Sequence, residues 1–150
     1  MDDFDHKILR QLQHNPSLTN AELASLIGLS ETPCWRRVKR LEAEGIIAGR
    51  ALRLDPDKLG FTVNVIAELT ISQHDEETLS AFECEVQTHD EIVACFSMSG
   101  TSDYLLRIVA RNIADYEAFL KRVLVHLPGV TSVNSRFALK ALKISQSLPI

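Results

Sequence analysis

The chain has 150 residues, 45% of them hydrophobic and 24% charged, with a formal net charge of −4; that length suffices for one ordinary core or two small modules. No apolar run approaches the roughly 18 residues of a membrane span, and the opening "MDDFDHKILRQL" is acidic and amphipathic, unlike a signal peptide. Cys34, Cys84 and Cys95 are widely spaced without a C-x-x-C, and the five histidines are scattered, which argues against a disulfide framework or a bound metal and for a reducing, cytoplasmic setting.

The first third reads as helices. Phe4, Ile8, Leu9 and Leu12 form an apolar stripe that Asn15-Pro16 ends. In "SLTNAELASLIGLS", Thr19 and Glu22 are spaced as a capping box, with Leu18 and Leu23 placed as a hydrophobic staple. Gly28 supplies the left-handed residue that stops this short helix. Ser30 or Thr32 caps a third helix, with Pro33 in its first turn and Gly45 at its end. Helix, short helix, tight turn, helix is the helix-turn-helix pattern.

That third helix concentrates cations in an acidic protein. Residues 1–55 hold eight Lys/Arg and eight Asp/Glu, so the anionic excess lies beyond them. At 100° per residue Cys34, Val38 and Leu41 share one face, and Thr32, Arg36, Lys39, Arg40 and Ala43 share the other. Arg37 and Trp35 fall on the flanks. A basic run on a helix is ordinarily a solvated face; the capping box, the Gly28 turn and the apolar stripe in one register favour a recognition helix in a major groove. Thr32, Pro33, Arg36, Arg37, Lys39 and Arg40 are the candidate DNA-binding residues, since arginine can read guanine and both cations can grip phosphate. Trp35 reads as a packing residue and Cys34 as a small core residue.

Ile46-Ile47 and "ALRL" read as two short strands around Gly49, a small wing from which Arg50 or Arg53 reaches phosphate. "DPDKLG" is a hinge, so the expected division is a DNA-binding domain over 1–54, a linker over 55–60 and a second domain over 61–150.

The second domain alternates strands and helices. "FTVNVIAELTIS" places Val63, Val65, Ala67, Leu69 and Ile71 on one face. Asp75 caps a helix carrying Leu79, Phe82 and Val86. "EIVACFSMS" and "YLLRIVA" are strands joined through "GTSD". "NIADYEAFLKRVLVHL" is a helix stopped by Pro128-Gly129, and a last strand alternates Val133, Phe137, Leu139 and Ala141. The order β-α-β-β-α-β is that of a ferredoxin-like sandwich, so the fold class is α+β, a winged helix-turn-helix joined to a ferredoxin-like domain. Neither a G-x-S-x-G nor a P-loop is present, and no enzymatic motif is found.

Over nearly its whole length the chain resembles the Lrp/AsnC family of bacterial and archaeal regulators. The resemblance rests on "LTNAELASLIGLSETPCWRRVKRLEAEGII", the linker "LDPDKLGF", "SMSGTSDYLLRI", "LPGVTSVNSRFALKALK" and "SLPI". It implies a transcription regulator that binds double-stranded DNA, dimerises through its C-terminal domain and often assembles into octamers. It also implies a small effector, usually an amino acid, bound between subunits, with no cofactor. Carried onto this sequence, the effector loop is Gly100, Thr101, Ser102 and Asp103, flanked by Met98 and Tyr104. From the residues alone, "GTSD" is equally a plain turn. Two other functions fit the pattern: a small-molecule-binding module acting on a partner protein, and an architectural DNA-binding protein without effector.

Overall fold

The computed structural model describes residues 1–145 and 147–150. They form two compact units, Met1–Arg53 with Lys143–Ile150, and Leu54–Leu142.

The first unit holds α1 (Asp3–His14), α2 (Asn20–Ile27) and α3 (Glu31–Ala43). Ile8, Leu9 and Leu12 pack with Leu23, Ala24 and Ile27 and with Cys34, Val38 and Leu41 in one core, which Leu18, Leu29, Ile47 and Ile150 border. The Thr19–Glu22 capping box forms as expected, the Thr19 N–H donating to Glu22 Oε2 at 2.8 Å and the Glu22 N–H to Thr19 Oγ1 at 3.3 Å. Gly28 closes α2 at φ 73°, and the Leu29 N–H folds back to the Ala24 carbonyl at 3.0 Å, a left-handed cap that a side chain at position 28 would strain. A second capping box opens α1, between Asp2 and Asp5.

Three expectations change here. Residues 46–53 form no strand pair; an isolated two-stranded ribbon is marginal in water, and the segment has no third strand to lean on. Residues 143–150, read from the sequence as part of the second domain, group with the first unit. Gln13 holds Leu148 by both main-chain groups, accepting from its N–H at 2.6 Å and donating to its carbonyl at 3.4 Å, while Arg10 Nε donates to the Ile150 carbonyl at 2.6 Å. Trp35 does not pack as expected and is 52% exposed.

The second unit is the β-α-β-β-α-β sandwich. Its elements are β1 (Val63–Ile71), α4 (Glu76–Val86), β2 (Ile92–Ser97), β3 (Tyr104–Ala110), α5 (Ile113–Arg122) and β4 (Val130–Phe137). The sheet runs β2-β3-β1-β4 and every pair is antiparallel. Val65, Ala67, Leu69 and Ile71 of β1 face the same core as Leu106 and Ile108 of β3 and Phe82, Val86, Tyr116 and Phe119 of the helices. Asp75 and Asn112 cap α4 and α5, accepting from the N–H groups of Thr78 and Asp115. The segment read as one helix to Leu127 is α5 followed by a 3-10 turn, Leu124–His126.

The alternation of the last strand does not continue to Ala141. β4 stops at Phe137 and Leu139 is fully exposed. Phe137 already pairs with Val65, and the Ala138 N–H takes the Asn64 carbonyl at 2.8 Å; β1 begins at Val63, so nothing remains to pair with. The other sheet face presents Ile66, Leu105 and Phe96, with Arg107 bonded to Asn64 and Arg136 to Glu68.

Candidate functional site

α3 is held from two sides. Asn20 Nδ2 of α2 donates to the Glu31 carbonyl at 2.9 Å, and Cys34, Val38 and Leu41 are buried beneath. Ser30 is the N-cap by position but makes no side-chain cap bond. Burial pushes the Cys34 thiol up, as fits a small core residue rather than a reactive one.

The six candidate DNA-binding residues divide into two sets. Thr32, Pro33, Arg36 and Lys39 are exposed. Lys39 Nζ lies 2.7 Å from Glu42 one turn on, a bond that holds the Glu42 carboxyl below its usual range. Arg36 has no ion pair among the described residues. Arg37 is half-buried, and Arg40, though still exposed, shares its partner; neither stands free. Arg37 Nη1 binds Asp2 at 2.7 Å and Asp5 at 2.8 Å, and Arg40 Nη2 binds Asp5 at 2.5 Å. Asp5 is 1% exposed, and a buried carboxylate needs partners of this kind. Burial pushes its carboxyl up, but the Asp2 N–H and the two guanidinium groups outweigh that and hold it below the usual range. Arg50, expected at phosphate, donates to the Pro16 carbonyl at 3.1 Å.

In the other unit, the loop between β2 and β3 carries the expected effector residues. Met98, Gly100 and Thr101 are exposed, and Ser102 and Asp103 are half-buried. Asp103 is bonded at every polar position. Its N–H donates to the Leu69 carbonyl at 2.9 Å and its carbonyl accepts from the Met98 N–H at 2.8 Å. Oδ2 accepts from the Ile71 N–H at 2.7 Å, and Oδ1 meets His74 Nε2 at 2.7 Å. First His74 and then the Ile71 N–H hold this carboxyl below its usual range. No sequence motif marked His74, which lies between β1 and α4.

Tyr104 leaves the loop's exposed surface. As the first residue of β3 its side chain falls on the helix-covered face with Leu106 and Ile108. Its ring centroid lies 4.3 Å from that of Phe82, and its hydroxyl donates to Glu83 at 2.9 Å. Burial, then Glu83, push its phenol up to about 12.

Residues 64–148 match the model of the Lrp/AsnC ligand binding domain, and residues 1–48 that of a winged helix-turn-helix DNA-binding domain. The chain belongs to the Lrp/AsnC family. It is 37% identical over its full length to the Bkd operon transcriptional regulator of Pseudomonas aeruginosa, covering 98% of that protein. Among solved Lrp/AsnC structures, an AsnC family transcriptional regulator from Agrobacterium tumefaciens is 42% identical, with a TM-score of 0.95 over 99% of this chain and 97% of that one. A Neisseria meningitidis transcriptional regulator in complex with L-Met is 34% identical, with a TM-score of 0.95 over 99% and 96%. This Lrp/AsnC chain is a DNA-binding transcriptional regulator, with its helix-turn-helix in one unit and its ligand-binding domain in the other.

Proposed function

We propose that this regulator reads double-stranded DNA chiefly through Arg36, with Thr32, Pro33 and Lys39 beside it, and that a free amino acid is its effector. The observation that carries the reading is the division of labour on α3. Arg37 and Arg40 are spent on Asp5 and fix the helix against α1, whereas Arg36, opposite the buried face, has no ion pair among the described residues. A preset helix with the Arg36 guanidinium exposed suits bidentate readout of a guanine.

The amino-acid effector is supported by the L-Met complex of the Neisseria relative and by the exposed residues Ser99, Gly100 and Thr101, whose main-chain N–H groups suit a carboxylate. Asp103 then meets the ligand's ammonium group. The working form is a homodimer in the cytoplasm. Two half-sites need two recognition helices, and the helix-free sheet face offers Ile66, Leu105 and Phe96 to a second copy.

The test is fluorescence anisotropy on operator DNA over a salt series. Arg36→Ala weakens specific binding by about 1–3 kcal/mol, and Lys39→Ala lowers the salt slope by about one. Unchanged affinity in both variants overturns the reading of this face. A thermal-shift screen of the twenty free amino acids tests the effector; at a hundredfold excess over its dissociation constant a ligand stabilises by about 2.7 kcal/mol.

A further inference from the structure

Asp103 has four polar contacts, and three of them belong to the sheet. Its N–H and carbonyl bond Leu69 and Met98, and Oδ2 takes the Ile71 N–H. None of these can be exchanged without opening the end of β1 or the mouth of the hairpin. The fourth contact is of another kind. His74 lies in the segment between β1 and α4, outside any helix or strand, and its side chain is 61% exposed against 27% for Asp103. Its ring makes no other side-chain bond among the described residues. Of the two Asp103 carboxylate oxygens, Oδ1 is thus the one not bonded to the sheet, and an imidazole already sits on it at 2.7 Å.

We propose that His74 is a specificity-determining residue of the effector loop: its imidazole holds Asp103 Oδ1 in place of the effector's ammonium group, and binding of a free amino acid displaces it. This rests on the reading of residues 98–103 as the effector loop. An ammonium group is a compact cation that brings three donors to a carboxylate oxygen. The imidazole offers Oδ1 one donor and surrenders the place readily, because its side chain already faces solvent. A ligand without an ammonium group leaves His74 on Oδ1, so the contact weakens the binding of amino acids and leaves that of plain carboxylic acids as it is. Its energy is that of an exposed pair, so its removal moves affinity modestly.

The experiment is titration calorimetry of the full chain with L-methionine and with 4-(methylthio)butanoate, the same molecule without its ammonium group. His74→Ala tightens L-methionine about two- to fivefold and leaves the deaminated acid unchanged. His74→Gln, which restores a neutral donor on a side chain of similar reach, stays nearer the wild type. An L-methionine affinity that is unchanged or weaker in His74→Ala overturns the proposal, and so does an equal gain by both ligands, which makes His74 a mere steric cover. Asp103→Asn separates this inference from the one beneath it. If that variant loses L-methionine while His74→Ala does not tighten it, only the role of His74 fails. If L-methionine fails to bind the wild type, or binds Asp103→Asn as tightly, the loop reading fails and His74 with it.

Discussion

Arg37 Nη1 stands 2.8 Å from Asp5 Oδ1, joining the flank of α3 to a carboxylate that is 1% exposed in the first turn of α1. Asp5 also accepts from Arg40 and from the Asp2 N–H, so removing it strands two guanidinium groups and opens a cap. Asp5→Ala should destabilise the first unit by about 1–3 kcal/mol. The pair also sets an acid limit. The folded carboxyl is held below its ordinary range, so its contribution is complete above about pH 4, where the unfolded carboxyl ionises, and is lost as pH falls through the lower folded value. Thermal melts between pH 2 and 7 should show a steeper acid decline for the wild type than for Asp5→Ala; parallel profiles would take Asp5 out of the acid response.

Gly129 adopts φ +72°, and a Cβ there would meet Thr78 Cγ2 at 2.5 Å and Ile71 Cγ2 at 2.8 Å. Its carbonyl accepts from the Ser72 N–H at 2.9 Å, so the backbone cannot retreat without breaking that bond. Left-handed strain and overpacking together should make Gly129→Ala cost about 2–4 kcal/mol. Denaturant unfolding of the second unit, followed by Tyr104 and Tyr116 fluorescence, measures it; a loss below half a kilocalorie would mean that the Thr78 side chain simply rotates away.

Phe96 is 56% exposed on the helix-free sheet face, paired with Leu105 of β3. If that face is covered by a second copy, Phe96→Asp places a charge in the contact and should shift the assembly toward smaller species at micromolar concentration. Sedimentation velocity reads the outcome directly. An unaltered distribution would move the self-association surface elsewhere.

Gln13 grips Leu148 by two hydrogen bonds, at 2.6 and 3.4 Å. Gln13→Ala should cost the first unit about 0.5–1.5 kcal/mol and speed hydrogen exchange at the Leu148 amide. Protection of that amide equal to the wild type would show that Ile150, seated on the core, holds the segment alone.

The parts of this fold legible in the sequence are those whose partners lie within one turn or one pleat. Thr19 and Glu22 are three residues apart, Gly28 follows the last apolar residue of its helix, and the odd positions of β1 alternate without a break; each is a local rule. The meaning of Asp5 comes from Arg37, 32 positions away, and a cation on a helix flank looks the same whether it meets DNA or a buried carboxylate. A separation of 29 positions likewise hides His74 from Asp103. Tyr104 flanks the loop in sequence, whereas its face is set by the strand that begins with it. The alternation through Leu139 and Ala141 is real as a pattern, but a strand also needs a partner, and β1 ends first.

The grouping of residues 143–150 with residues 1–53 bears on the order in which the molecule is made. On a ribosome, α1, α2 and α3 emerge first, yet Ile150, which packs on their core, and Leu148, which binds Gln13, follow only after the whole intervening unit has been translated. At ordinary elongation rates that gap is on the order of ten seconds. During it the nascent DNA-binding unit lacks one side of its core. A nascent chain should therefore finish the mount of its recognition helix only after β4, the last strand of the ligand-binding sheet, has been made.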